Sequence, residues 1–174
     1  SLPNTIVKNN VVQNCVETGI EGPYELVYHN TVKNTGENSV ARYTGSTEAI
    51  YIKPTTEFEQ KYIGNTIETR GLRCFSSYSN RDDEYKGIYI LNNSMNLKNT
   101  DASIACNYTR SDIEINCKKI KKIVIENNTG MMKDKKSVNI YTDKGYVMDY
   151  FSIHNPCMIG SVPKKARYCF NINN

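Results

Sequence analysis

The stretch "SDIEINCKKIKKIVIE" (residues 111–126) decides the fold, because it fits two incompatible secondary structures. Ser111 and Glu114 fit the capping box that begins a helix. An apolar helical face would then comprise Ile113, Cys117, Ile120 and Val124. Against the helix, six of the fourteen residues from 112 to 125 are isoleucine or valine, which are stiff at χ1 and prefer sheets. The stretch is therefore predicted to be β-structure.

Short runs rich in Val, Ile, Tyr, Phe and Thr recur along the rest of the chain, separated by Asn, Gly, Asp and Ser. These runs are "YELVYHNTV" (24–32), "EAIYIK" (48–53), "LRCFSSYS" (72–79), "YKGIYIL" (85–91), "ASIACNYT" (102–109), "SVNIYT" (137–142), "YVMDYFSI" (146–153) and "RYCFNI" (167–172). They predict an all-β chain with little helix, an antiparallel β-sandwich or barrel of roughly eight to eleven strands. No linker, fixed-period repeat or low-complexity tract divides the sequence, which predicts one domain over residues 1–174.

Two hairpins are predicted within this sheet. The runs 137–142 and 146–153 flank Asp143-Lys144-Gly145, where glycine can take the left-handed conformation of a three-residue loop. The run 102–109 is expected to pair with 113–119 around a loop centred between Ser111 and Asp112. That register places Cys106 opposite Cys117, within reach of a cross-strand disulfide.

The six cysteines lack the spacing of a zinc site, so their even number predicts three disulfides and an oxidising compartment. The predicted pairs are Cys15–Cys74, Cys106–Cys117 and Cys157–Cys169. Three N-x-S/T sequons, at Asn92, Asn107 and Asn127, agree with a secreted or surface-exposed glycoprotein. Glycosylation requires these asparagines to be exposed, and strand alternation would point Asn107 outward from Cys106.

No pattern of residues indicates catalysis. The two histidines, His29 and His154, are better read as strand-surface and turn residues than as catalytic bases. Nucleophile-elbow, P-loop and dinucleotide glycine patterns are missing, and there is no tryptophan for a lipocalin or immunoglobulin signature. The acidic run "NRDDEY" (80–85) could bind calcium, but it lacks the spaced ligand loop and is better read as a solvated turn. We therefore expect a non-enzyme that holds no metal or cofactor.

The lysines of "CKKIKK" (117–122) have two interpretations. Lys118, Lys119, Lys121 and Lys122 match a basic pattern typical of glycosaminoglycan-binding proteins, as do Lys164, Lys165 and Arg167 in "PKKARY" (163–168). Lysines also protect edge strands against aggregation, and the aliphatic run that follows would need such protection. Edge protection is the preferred interpretation, with exposed lysines and a buried segment beginning at Ile123 or Val124.

The sequence thus predicts a non-enzymatic extracellular glycoprotein that binds a host protein, such as a receptor or immune ligand. Its Asn-, Lys- and Ile-rich composition is typical of AT-rich genomes, including those of many viruses and parasites. A heparan sulfate attachment module is the alternative, and a secreted small-ligand carrier or hydrolase is less favoured. A net charge of +4 is low for a nucleic-acid binder, and no apolar stretch reaches the ~20 residues of a membrane span.

Overall fold

The chain folds, in a computed structural model, as a stack of coils that contribute strands to three parallel β-sheets. The structure describes residues 5–35, 47–98, 111–131, 137–155 and 170–173, and these contain strands but no helix. Sheet A consists of β1 (Ile6–Lys8), β4 (Leu26–Tyr28), β7 (Glu59–Ile63), β10 (Gly87–Leu91), β13 (Lys122–Glu126) and β15 (Tyr150–His154). Sheet B consists of β2 (Val11–Gln13), β5 (Thr31–Thr35), β8 (Thr66–Thr69) and β11 (Ser94–Leu97). Sheet C consists of β3 (Ile20–Gly22), β6 (Glu48–Ile52), β9 (Arg73–Tyr85), β12 (Ser111–Ile120), β14 (Val138–Tyr141) and β16 (Phe170–Asn173).

Each of the first five coils passes through the sheets in the order A, B, C, so the described residues form a parallel β-helix with strands of six coils. Coil 1 comprises β1–β3, coil 2 β4–β6, coil 3 β7–β9 and coil 4 β10–β12. Coil 5 comprises β13, a single bridge from Thr129 to Ser94 of sheet B, and β14, while coil 6 comprises β15 and β16. Every one of these strands pairs with the equivalent strand of an adjacent coil, and every pairing is parallel.

The predicted antiparallel sandwich or barrel is therefore wrong. Apolar alternation reports that one face of a strand is buried and the other solvated, which holds equally for a hairpin and for a coil. It carries no information about the direction of the neighbouring strand. The expectation that sequence neighbours pair fails here because each strand hydrogen-bonds to a segment one full coil away.

The core is built from columns of aliphatic side chains that stack between coils. In sheet A the register aligns Val27, Tyr62, Ile90 and Ile125, all fully buried. Sheet C aligns Ile50, Phe75, Ile113 and Val138, also fully buried. Each inner coil thus adds a few apolar residues to one continuous core. Burial of one such side chain contributes about 1.5–3 kcal/mol.

A ladder of asparagines fills the corner between sheets A and B. Its members are Asn10, Asn30, Asn65, Asn93, Asn128 and Asn155. From Asn30 onward, the Oδ1 atom of each accepts hydrogen bonds from the backbone N–H and the Nδ2 of the ladder asparagine one coil earlier, as Asn65 does from Asn30 at 3.0 and 3.1 Å. Its own Nδ2 also donates to a sheet A carbonyl of the earlier coil, as Asn65 does to Val27 at 3.0 Å. The amides thus satisfy backbone groups that the corner would leave buried without partners.

The residue before each of the first five ladder asparagines has a left-handed backbone. These residues are Asn9, His29, Gly64, Asn92 and Asn127, with φ between 51° and 62°. Asparagine and glycine are the residues that most readily adopt this conformation, which turns the chain from sheet A into sheet B within two residues.

Both predicted hairpins are wrong. Ser111 and Asp112 begin the continuous strand β12, which also excludes the helical alternative for this stretch. The other turn does form, because Tyr146 N–H donates to the Asp143 carbonyl at 3.0 Å and Gly145 has φ 81°. It joins β14 of sheet C to β15 of sheet A, however, and these strands lie in different sheets.

The predicted disulfide framework is also not observed. Cys15, Cys74 and Cys117 are free thiols, so Cys15–Cys74 and Cys106–Cys117 do not form. The parallel register places Cys117 opposite Ser79, and its Sγ lies 3.6 Å from the Ser77 hydroxyl. Cys106 and the proposed pair Cys157–Cys169 lie outside the described residues.

Candidate binding surface

The lysine run lies beside the acidic run of the preceding coil. Strand β12 stacks on β9, which brings the segment 117–122 next to the segment 79–85. Lys118 Nζ lies 3.0 Å from Asp82 Oδ1, and Lys121 Nζ lies 3.0 Å from Glu84 Oε2. Lys122 Nζ lies 2.9 Å from Glu59 Oε1, across sheet A. The two charged runs, treated separately in the sequence, are thus partners across coils.

These ion pairs determine the protonation of the carboxyl groups. The hydrogen bond from Lys118 lowers the pKa of Asp82, and that from Lys122 lowers the pKa of Glu59. The pKa of Glu84 is lowered first by Lys121 and then by the hydroxyl of Tyr146. All three carboxylates are therefore ionised at neutral pH and offset the charge of the lysines.

The lysines do not protect a sheet edge, which corrects the preferred interpretation of the sequence. Strand β12 lies between β9 and β14, and β13 lies between β10 and β15, so both are interior strands. The four lysines are half-buried rather than fully exposed. Ile123 does begin the buried part of β13, and Ile120 is buried before it. Lys164, Lys165 and Arg167 lie outside the described residues.

Strand β9 contains a bulge that interrupts the regular stack. Its register with β12 runs from Ser79 opposite Cys117 to Glu84 opposite Lys119, so β9 advances five residues while β12 advances two. The extra residues project outward, and the side chains of residues 80–84 are exposed. A hydrogen bond between the Ser79 and Tyr85 hydroxyls closes the base of the bulge. Bulges of this kind redirect side chains and frequently occur at binding sites.

The bulge and the corner of the preceding coil enclose a cleft of about 400 Å³. Its lining residues are Lys53, Pro54, Thr55, Thr56, Tyr78, Ser79, Asn80, Arg81, Asp83 and Tyr85. The two walls are linked by a hydrogen bond from Lys86 N–H to the Thr55 carbonyl and by one from the Tyr51 hydroxyl to the Tyr78 carbonyl. Tyr78 is 54% exposed, so its ring is available to a ligand.

A second group of charges is buried in sheet C. Arg73 lies 3.4 Å from Glu48 and 3.0 Å from Glu114, and both Arg73 and Glu48 are about 5% exposed or less. Burial raises the pKa of Glu48 to about 7, and the attraction of Arg73 opposes that rise. Because Arg73 engages both carboxylates, the group has the character of a structural ion cluster.

The sequon asparagines and the two histidines lie at turns or strand ends, where the structure describes them. Asn92 and Asn127 are exposed, as glycosylation requires, but each is also the left-handed residue of a ladder turn. Their sequons "NNS" and "NNT" therefore have an independent structural explanation. His29 occupies the same position in coil 2, against Tyr28, and His154 ends β15. Asn107 lies outside the described residues.

Within the described ranges there is no helix that could span a membrane and no cluster of three or more side chains suited to a metal ion. The acidic run 80–85 lies in β9 rather than in a separate turn. No family model, curated protein or solved structure matches the chain.

Sequence reasoning missed Tyr78 and Arg81 as binding candidates. A signal for them existed, because no aliphatic residue occurs in "YSNRDDE" (78–84), although it lies within one strand. The neighbouring strand β12 has apolar residues at alternate positions over most of its length. A strand without them cannot keep one face in the core, which indicates that the chain leaves the stack there.

Proposed function

We propose that this chain is a non-enzymatic binding module of an extracellular glycoprotein and that it holds a protein ligand at the β9 cleft. The observation that carries the proposal is the bulge in β9, which departs from a regular stack to form an open cleft. Tyr78 and Arg81, which line this cleft, belong to two of the three residue types enriched among binding hot spots. They lie on a strand, and sites on rigid elements position their side chains more accurately than loops do.

The alternatives are less well supported by the contacts. A polyanion site needs cations that are available to the ligand, whereas Lys118, Lys121 and Lys122 each pair with a carboxylate. A carrier of small ligands needs a deep apolar pocket, whereas the cleft is lined mainly by polar and charged residues. A hydrolase needs an acid and a base aimed at substrate, whereas Arg73 holds Glu48 and Glu114 within the sheet.

The test compares two tyrosines of nearly equal exposure. Tyr78 is 54% exposed in the cleft, and Tyr150 is 53% exposed on sheet A outside it. The first variant combines Tyr78→Ala with Arg81→Ala, and the second carries Tyr150→Ala alone. Each variant and the wild type would be immobilised and offered extracellular and serum proteins of candidate hosts. A ligand that binds the wild type should lose at least tenfold in affinity with the first variant and less than twofold with the second.

An equal loss of affinity with both variants, or no loss with either, would contradict a site in the cleft. The extracellular part of the proposal is supported by the exposed sequons and is tested separately. Expression through a eukaryotic secretory pathway should add glycans at Asn92 and Asn127 that peptide N-glycosidase removes. The variants Ser94→Ala and Thr129→Ala should each abolish one of them, and an unglycosylated secreted chain would contradict it.

A further inference from the structure

The charged residues of the bulge in β9 divide into two sets by their partners. The side chains of Asp82 and Glu84 pair with lysines of β12 at 3.0 Å, and neither residue lines the cleft. Arg81 and Asp83, which alternate with them along the chain, do line the cleft. Because successive side chains of an extended segment point to opposite sides, one side of the bulge is committed to the coil stack and the other faces the cleft.

Arg81 and Asp83 bring charges into the cleft that the described residues do not neutralise. In the part of the chain that the structure describes, neither side chain has an ion-pair partner, and both residues are exposed. The third charged residue of the cleft, Lys53, pairs with Glu21 at 2.7 Å. The cleft therefore presents one available guanidinium and one available carboxylate.

The backbone of the bulge sets the separation of these two charges. The Arg81 N–H donates to the Ser79 hydroxyl at 3.3 Å, and that hydroxyl also bonds with the hydroxyl of the buried Tyr85. Arg81 and Asp83 are two residues apart in one strand, so their Cα atoms are separated by about 6.6 Å in an extended segment. A ligand chain that runs alongside in an extended conformation presents every second side chain at the same spacing.

We propose that the protein ligand enters the β9 cleft as an extended segment that carries an acidic and a basic residue separated by one residue. This ligand class rests on the proposed function, in which the cleft binds a protein. The acidic side chain of the segment pairs with Arg81, whose guanidinium can bind a carboxylate through two parallel hydrogen bonds. The basic side chain pairs with Asp83. Either order of the two charges fits, because the segment can run in either direction.

Charge complementarity favours this ligand over a uniformly charged or an uncharged one. A polyanion would meet the carboxylate of Asp83, and a polycation would meet the guanidinium of Arg81. Like charges that are brought together across an interface oppose binding. An uncharged ligand would remove water from both groups without giving either of them an ionic partner, which costs free energy.

The first test compares two peptides of identical composition, with blocked termini and an uncharged fluorescent label. Thr-Val-Glu-Thr-Lys-Val-Thr carries its charges two residues apart. Thr-Val-Thr-Glu-Lys-Val-Thr carries them on adjacent residues, which point to opposite sides of an extended chain. Each peptide would be titrated with the 174-residue chain at low salt and followed by fluorescence anisotropy. We expect at least threefold tighter binding of the first peptide. Equal affinities, or no binding of the first peptide, would overturn the proposal.

The second test reverses one charge of the cleft at a time and uses peptides with Glu-Thr-Glu or Lys-Thr-Lys at the centre. Asp83→Arg leaves two cations in the cleft wall, so it should raise the affinity ratio of the acidic to the basic peptide at least tenfold over the wild type. Arg81→Glu should lower the same ratio at least tenfold. The matched control is Asp82→Arg, which makes the same charge change at the next residue, 78% exposed and paired with Lys118 outside the cleft. It should change the ratio less than threefold, and a shift equal to that of Asp83→Arg would overturn the proposal.

These results distinguish the ligand class from the site. Failure of both peptide tests, together with a host protein whose binding is lost in the Tyr78→Ala, Arg81→Ala variant, would keep the cleft as the site. Such a result would reject only the segment with an acidic and a basic residue. Peptide binding that neither Asp83→Arg nor Arg81→Glu alters would place the peptide outside the cleft and would also reject the proposal.

Discussion

The corner between sheets A and B is nearly the same in the first five coils, whereas the corner between sheets C and A differs from coil to coil. Four successive A–B corners have two residues between the strands, namely 9–10, 29–30, 64–65 and 92–93. The C–A corners have between one residue, at Lys86, and eight residues, at 142–149. The cleft of β9 lies at the variable corner.

The difference separates the part of the sequence that fixes the stack from the part that can carry specificity. An asparagine of the A–B corner contacts the coils before and after it, so a change there disturbs three coils at once. The residues of the C–A corners are exposed or half-buried, and additional residues there change the surface without changing the register of the core. Binding residues in many proteins lie on such variable segments of a rigid framework.

The largest expected effect is at the regular corner. Asn65→Ala would leave the buried Asn30 N–H without its acceptor, at a cost of about 1–3 kcal/mol, and would also remove the hydrogen bonds of the Asn65 amide with Asn30 Nδ2, the Val27 carbonyl and Asn93 Oδ1. We expect the free energy of unfolding to fall by about 4 kcal/mol, measured by denaturant titration. Asn92→Ala changes an exposed residue of the same turn type and should cost about 1 kcal/mol. Equal losses would show that the ladder contributes no more than the turn.

Glycine substitutions compare the two corners directly. Gly130 follows the A–B turn of coil 5 with φ 75°, and a Cβ there would lie 1.9 Å from the Met95 carbonyl oxygen. Gly145 lies at a C–A corner with φ 81°, and a Cβ there would meet nothing within 4 Å. Gly145→Ala should therefore cost only the left-handed penalty of about 1–2 kcal/mol. Gly130→Ala adds overpacking and should cost about 3–4 kcal/mol in total. The same denaturant titration checks both, and a smaller loss at Gly130 would contradict the close packing of that corner.

How far the fold could be predicted is visible in particular strands. The runs 48–53 and 85–91 correspond closely to β6 and β10, because alternation and β-branched residues are local properties. The identity and direction of the neighbouring strand are not local properties. The ladder asparagines recur at intervals of 20, 35, 28, 35 and 27 residues, so a search for a fixed period does not detect them. The pairs "NN", "HN" and "GN" before each sheet B segment were present as a signal. The cleft could not be predicted, because it depends on the register of two coils.

Buried charge gives sheet C a pH dependence that the neutral amides of the ladder do not have. The pKa of Glu48 is raised from 4.5 to about 7 by burial, so the folded state holds its proton more tightly than the unfolded state does. This contribution to stability is fully present below pH 4.5 and is lost as the pH rises through 7. The free energy of unfolding should fall by on the order of 3 kcal/mol between pH 5 and pH 8.

Glu48→Gln should remove most of that slope and raise stability at pH 8, as measured by denaturant titration across this range. The matched control is Glu68→Gln, which changes a more accessible carboxylate paired with Lys98 in sheet B. It should leave the slope unchanged. If the free energy of unfolding of Glu48→Gln depends on pH as steeply as that of the wild type, other groups cause the pH dependence.

The smallest expected effect concerns the lysines at the variable corner. Because Lys118, Lys121 and Lys122 are paired with carboxylates, replacing the four lysines of 118–122 by serine should change heparin retention little. The wild type should elute near physiological ionic strength. The reciprocal variant, with Asp82→Ser, Glu84→Ser and Glu59→Ser, releases the lysines and should be retained to higher salt. Its elution should show a steeper salt dependence, by analogy with counterion release from nucleic acids. Retention of the wild type well above physiological salt would show instead that the lysines bind a polyanion despite their partners, and would make this face, rather than the β9 cleft, the primary binding surface.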